Sequence, residues 1–234
     1  MTRDTGAMPG PTENLWVAAL RNNPDHARNY AERWSTFVAE GRDIYGEART
    51  IDAMVDRRAR ILDAGCGTGR IGGWLAERGH DVTGVDLDDT LIDVAKRDWP
   101  KAIWEVQNLA ELNVVDDSGI QRQFDIVVSA GNVMTFLAES ERMPALVRIQ
   151  DHLAPTGRFV VGFSSGRDYD FEEFEADAFE AGMEIQQRYS TWTLRPPAVG
   201  FLVAVLAPVG GTSTTDSVTS GACAGFAPSI GPLM

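Results

Sequence analysis

Cysteine is scarce in this chain. Cys66 and Cys223 are the only two in 234 residues, too few and too far apart for a disulfide framework or a zinc ligand set. The cheapest reading of that scarcity is a reducing compartment, so the expected location is the cytoplasm. Long apolar runs are also missing. No stretch approaches the roughly 18 apolar residues of a membrane span, and the first residues, MTRDTGAMPGPTEN, lack the apolar segment of a secretory leader. Positive charge is in deficit: 21 Lys and Arg stand against 34 Asp and Glu, a formal net charge of −13. Such a surface repels phosphate backbones and anionic lipid headgroups, so neither nucleic acid nor a membrane is expected as a partner. His26, His80 and His152 are the only histidines and show no ligand spacing, so no metal is expected.

The remaining composition, 44% hydrophobic and 24% charged, suits one soluble domain. Residues 1–24 read as a flexible arm, 25–207 as the domain, and 208–234, rich in Gly, Ser and Thr, as a disordered tail. Within the domain, Pro24-Asp25 signals a helix start with Asp25 as N-cap. Tyr30, Trp34, Phe37 and Val38 fall on one face of that helix, which Gly41 ends, and a second helix covers Glu47 to Val55. Strands are expected at Arg60–Ala64, Asp81–Val85, Ala102–Val106, Phe124–Ser129, Arg158–Phe163, Met183–Thr193 and Phe201–Leu206. Helices follow the first two strands, with Gly79 and Trp99-Pro100 as stops. A further helix is capped by Ser140 with Pro144 in its first turn, Pro155-Thr156-Gly157 forms a turn, and Asp170–Ala181 is an acidic helix. Alternating helices and near-continuous apolar strands predict an α/β fold with a largely parallel, Rossmann-like sheet covered on both faces.

The chemistry points to one loop. Asp63-x-Gly65-x-Gly67-x-Gly69 joins a strand to a helix, where glycine permits a positive φ and a close approach of ligand to backbone. The spacing departs from the dinucleotide fingerprint G-x-G-x-x-G, and the carboxylate beside it suits a cationic ligand better than a pyrophosphate. Asp86, at the end of the next strand in GVDLD, is placed to accept two ribose hydroxyls. Together the two motifs describe a nucleoside with a positively charged end.

ILDAGCGTGR and GVDLD, at this spacing, resemble the motifs of the class I S-adenosylmethionine-dependent methyltransferases, over residues 25 to about 206. The resemblance implies a seven-stranded sheet of order 3-2-1-4-5-7-6, with FLVAVL as an antiparallel strand 7 and an N-terminal helical cap. The implied cofactor is S-adenosyl-L-methionine, with S-adenosyl-L-homocysteine as product. Asp63 and Ala64 would lead into the loop, Gly65, Gly67 and Gly69 would pass beneath the cofactor, and Cys66 would contribute backbone. Asp86 would hold the ribose and Leu87 would pack on adenine. Asn108, Leu109 and Ala110 match the adenine segment, where the family usually has Asp in place of Asn108 and an amide oxygen would accept from the adenine amino group. Ser129 and Ala130 would line the methionine end, Asn132 would face the acceptor, and Tyr30 would close over the cofactor. Arg42 and Arg70 are candidates for the methionine carboxylate, and Trp192 and Arg195 for the acceptor pocket. No base-methyltransferase motif follows strand 4, where the run is SAGNVMTF, so a small-molecule acceptor is expected. No catalytic base is identified. A non-catalytic binder of the same cofactor and, further off, a nicotinamide-dependent oxidoreductase are the rival readings.

Overall fold

The computed structural model describes residues 12–210. Seven strands form one sheet in the order β3-β2-β1-β4-β5-β7-β6. They are β1 (Arg60–Ala64), β2 (Asp81–Asp86), β3 (Ile103–Val106), β4 (Phe124–Ser129), β5 (Leu153–Ser164), β6 (Met183–Tyr189) and β7 (Phe201–Pro208). The neighbours from β3 to β5 pair in parallel, and β7 runs antiparallel to both β5 and β6. The helices are α1 (Leu15–Asn22), α2 (His26–Ala39), α3 (Gly46–Met54), α4 (Arg70–Glu77), α5 (Asp89–Asp98), α6 (Glu139–Asp151) and α7 (Phe171–Glu180).

The period-2 alternation of the strands sorts two cores. Leu62, Val127, Phe159 and Val161 face α6 and α7, with Leu146, Ile149 and Phe174. Ile61, Val128 and Val160 face α3 and α4, with Ile51, Ile71 and Leu75. Burial on both faces is why these strands are apolar throughout. Two tryptophans seat on glycines in the first half of the sheet. The Trp104 ring lies where Cβ atoms on Gly69 and Gly84 would be, at 2.7 and 2.2 Å, and Trp99 fills the corresponding space at Gly73. Larger residues there would push α4 off the sheet. Chain order reverses between β1 and β4, which opens a crevice at the carboxyl ends of these strands.

Several local expectations are corrected. The proposed arm at 1–24 holds α1, an ordered helix whose Trp16 is 9% exposed and whose N-cap Asn14 accepts from the Trp16 N–H at 3.0 Å. The Gly/Pro texture before it hid an amphipathic segment of eight residues. Residues 1–11 and 211–234, which include most of the expected tail, lie outside the described residues. Asp25 precedes α2 but makes no side-chain cap bond, because it pairs with Arg28 at 2.8 Å. Ser140 lies inside α6, and Pro144 is its sixth residue rather than part of the first turn. The start is set instead by Glu141, whose carboxylate reaches back to accept the Ala138 N–H at 2.9 Å. Pro155-Thr156-Gly157 interrupts the pairing of β5 with β4 without ending the strand: the register jumps between Phe124↔Leu153 and Ile126↔Arg158. β6 stops at Tyr189, short of Thr193.

Candidate cofactor and acceptor site

The loop after β1 is held by short-range bonds. The Gly65 and Cys66 N–H groups both donate to the Val85 carbonyl at 2.9 Å, which ties the loop to β2. Gly65, Gly67 and Gly69 have φ of 81°, 55° and 74°, in the left-handed region. At Gly65 the demand is double, since a Cβ there would lie 2.5 Å from the Val133 side chain. Asp63 is 2% exposed, and its carboxylate accepts the Gly72 N–H at 2.8 Å, fastening the first turn of α4 to β1. Burial raises its pKa to about 7.

Asp86 ends β2 and faces the same loop. One carboxylate oxygen accepts the Gly67 N–H at 2.8 Å and the other the Asp88 N–H at 3.0 Å. Each oxygen keeps a lone pair for a further donor. Burial raises its pKa to about 6 against the lowering pull of these two N–H groups. The next carboxylate, Asp88, caps α5 through the Leu91 N–H at 3.0 Å. Its second oxygen accepts the buried Trp16 Nε1–H at 2.7 Å, which bolts α1 to the turn that carries Asp86. Asn14 donates to Glu141 at 2.9 Å and so ties the same helix to α6.

Between the loop, the strand ends and α1–α2 lies a cavity of about 660 Å³, within the usual span of small-ligand sites, about 300–1,000 Å³. Of the residues singled out in the sequence, Tyr30, Gly65, Gly67, Asp86, Leu87, Leu109, Ala130 and Asn132 line it. The Tyr30 ring lies 3.5 Å from where a Gly67 Cβ would be, and burial pushes its phenol pKa up. Asn132, in the left-handed region at φ 70°, accepts the Ser164 N–H at 2.7 Å and joins the β4 and β5 ends.

The other candidates stand behind the wall. Asp63 and Ala64 are buried in the sheet, and the Cys66 side chain packs with Ile92, Ala95 and Trp104. Gly69 is the N-cap of α4. Ser129 is 1% exposed and its hydroxyl has no hydrogen-bond partner among the described residues. The Asn108 oxygen accepts the Ala110 N–H at 3.0 Å and its amide donates to Glu141 at 2.7 Å, so the side chain caps a 3-10 turn, and it is not among the residues that line the cavity. Ala110 lies in that turn, and Gln107 takes the place on the wall. Arg70 is committed to Glu47 by two bonds of 2.9 Å and to the Ile44 carbonyl, and Arg42 lies over the Phe37 ring at 3.7 Å. Trp192 packs on Gly162 in the core, and neither it nor Arg195 lines the cavity. Lining residues that the sequence reading did not assign to the site include Asn14, Trp16, His26, Asn29, Arg33, Phe136 and Arg167. The one available signal was Asn14 before LWVAAL, an N-cap followed by an apolar-periodic run. Among the described residues no group of His, Cys, Asp and Glu is arranged to hold a metal ion. No helix among them is long and apolar enough to cross a membrane.

This sheet order, with an antiparallel seventh strand, a glycine loop after β1 and a carboxylate at the end of β2, defines the class I methyltransferase fold. Comparison with known proteins agrees. Residues 61–157 match the family described as a methyltransferase domain. A TehB-like SAM-dependent methyltransferase from Corynebacterium glutamicum, of known structure, is 50% identical with a TM-score of 0.75, and the match covers 80% of this chain and 100% of that one. Glycine N-methyltransferase of Rattus norvegicus is 28% identical over 176 residues, 68% of this chain and 59% of its own length. The dTDP-3-amino-3,6-dideoxy-alpha-D-glucopyranose N,N-dimethyltransferase of Streptomyces fradiae is 30% identical over 143 residues, 58% of this chain and 54% of its own. The first curated relatives are matched over 34% to 59% of their lengths. The chain belongs to the class I S-adenosylmethionine-dependent methyltransferases.

Proposed function

We propose that the chain binds S-adenosyl-L-methionine in this cavity and transfers its methyl group, by in-line displacement, to a small-molecule acceptor, releasing S-adenosyl-L-homocysteine. The observation that carries this is Asp86: a carboxylate at the strand end, oriented by two backbone N–H groups, opening on the cavity beside two glycines that line it. The residues fit the cofactor. Asp86 would accept the ribose hydroxyls, Leu87 and Leu109 would pack against the adenine, and Gly65 and Gly67 would leave room for the chain that ends in the methionine group. The cofactor supplies a methyl on positively charged sulfur, so the electrophile arrives activated. The task of the protein is then to align the reacting atoms and exclude water. Tyr30 and Trp16, on the two N-terminal helices, form the cover that does so. Nothing in this scheme requires a protein base unless the acceptor arrives protonated.

The relatives named for glycine and for an amino sugar act on small molecules, which supports a small-molecule acceptor here. The charge of −13 disfavours nucleic acid and anionic membranes. The paucity of cysteine favours the cytoplasm. A calorimetric titration with S-adenosylhomocysteine, with NADH in parallel, tests the reading. Ligand at about 100 times its Kd adds about 2.7 kcal/mol of stability, and Asp86→Ala abolishes that gain. Stabilisation by NADH alone overturns the reading in favour of an oxidoreductase.

A further inference from the structure

We propose that Arg167 is the residue that selects the methyl acceptor, and that the acceptor is a small organic anion. This rests on the methyltransferase reading above and goes beyond it to the chemistry of the second substrate.

The first argument is charge. The whole chain carries −13, yet the cavity wall inverts that balance: among the described residues that line it, Asp86 is the one carboxylate, against Arg33 and Arg167. A concave site with a net positive charge favours an anion over a cation. The second is the state of the guanidinium. Most arginines near the sheet are committed, as Arg70 is to Glu47 and Arg122 to Asp81. Arg167, an exposed residue, has neither an ion pair nor a hydrogen bond among the described residues, although Asp168 and Asp170 follow it in sequence. Its only specific contact is the Phe136 ring, 5.6 Å from its carbon centre. Stacking of this kind orients the guanidinium and leaves its donors free.

The third argument is the anchoring of its loop. The buried Arg142, 3% exposed, donates to the Asp168 carbonyl and to Glu173 at 2.7 Å, and lies over the Tyr169 ring at 4.2 Å. Tyr169, 1% exposed, donates to Asp177 at 2.7 Å. The residues next to Arg167 are thus held in place, and Arg167 itself stands at the mouth with nothing to bind.

Position separates it from the cofactor. Phe136 closes the 3-10 turn that starts at Val133, the residue packed against Gly65, so Arg167 stands on the Val133 side of the cavity, where the resemblance would put the methionine end of the cofactor. Arg33 lies over the Tyr30 ring at 4.8 Å, and that ring lies against Gly67.

The test uses the full-length protein loaded with S-adenosylhomocysteine, and compares anions with neutral partners that lack the charge: acetate with acetamide, benzoate with benzamide, and phenyl phosphate with phenol. Thermal shift reads binding, and methyl transfer from labelled S-adenosylmethionine reads turnover. At least one anion is expected to outperform its neutral partner, and the carboxylate and phosphate arms show which anion fits. Arg167→Gln should remove the preference, raising the KM or Kd for that anion by about tenfold or more, the loss of one charge-assisted hydrogen bond. Arg167→Lys should restore part of it, and Kd for S-adenosylhomocysteine should stay within about twofold in both variants. The proposal is overturned if no anion is preferred, if the preference survives Arg167→Gln, or if that variant weakens S-adenosylhomocysteine instead. Failure of the wild-type protein to bind S-adenosylhomocysteine would bring down the cofactor reading first, and this proposal with it.

Discussion

The two walls of the cavity are built on different principles. The glycine loop and the turn after β2 are held from within: Asp63 to Gly72, Asp86 to Gly67, and the Val85 carbonyl to Gly65 and Cys66 all join residues of one β1–α4–β2 unit. The α1–α2 cover is held from without. Trp16 bonds to Asp88 across 72 positions and Asn14 to Glu141 across 127. Its apolar cluster is small, Trp16, Ala27 and Leu91 with Leu20, Tyr30 and Leu87 against it, whereas β1 and β2 lie in the main core. A floor embedded in the core and a cover attached by a few bonds differ in local stability. That difference suits a site whose cofactor must enter and whose product must leave.

The contrast can be broken most severely at Gly65. Gly65→Ala should combine the strain of a side chain at φ 81° with a clash against Val133, costing about 1–3 kcal/mol for each of the two effects. Denaturant unfolding should show the loss, and S-adenosylhomocysteine binding should disappear in calorimetry. If Gly65→Ala binds normally, the floor is not rigid.

Trp16→Phe tests the cover. It keeps most of the ring but removes the donor to Asp88, a loss of about 1–2 kcal/mol. Hydrogen exchange should speed up in residues 15–39 and stay unchanged in β1 and β2, while S-adenosylhomocysteine dissociates faster. Equal acceleration in the floor would show that the two regions open as one unit.

A third prediction concerns pH. The Asp63 and Asp86 pKa values are raised by burial to about 7 and about 6, above those of the unfolded chain. The folded state therefore holds more protons between about pH 4 and 7. The stability these protonated acids contribute is fully present below the unfolded value of about 4 and falls as pH rises through 6 to 7. Asp63→Asn should flatten part of that decline while keeping an acceptor for the Gly72 N–H, as followed by Tm against pH. Affinity for S-adenosylhomocysteine should move the opposite way, rising through pH 6 as Asp86 ionises to receive the ribose hydroxyls. A flat affinity profile would count against Asp86 as the ribose ligand.

The smallest effect belongs to one of two aspartates that look alike in sequence, Asp25 rather than Asp88. Asp88→Ala removes a real cap together with the Trp16 bond, and should cost about 2–4 kcal/mol, about 1–2 from each. Asp25→Ala, at an exposed position with no cap bond, should stay within about 0.5 kcal/mol. Urea midpoints distinguish them.

The same division marks how far the sequence could be read. Strands such as Phe124–Ser129 and the loop 63–69 are legible because a period-2 apolar pattern and a glycine spacing are local properties. The start of α6 was misplaced because Glu141 caps from inside the helix, and the bonds of Asn108 to Ala110 and Glu141 were not legible because one partner lies 33 positions away. Arg70 and Arg167 are equivalent as letters. One spends its charge on Glu47 and the other is left free at the cavity mouth, and only the packing of α3 and the clamp of Arg142 on the 165–170 segment distinguish them.

The amino-acid sequence by itself determined the sheet, the fold class and the loop with its two aspartates, since these follow from hydrophobic periodicity and from the backbone freedom of glycine. The tertiary structure decided which side chains line the cavity, that α1 joins α2 beside it, held through Trp16 and Asn14, and that Arg70 is paired while Arg167 is not. Those outcomes depend on bonds between residues far apart in the chain, and no local pattern records which distant partner a polar side chain will find.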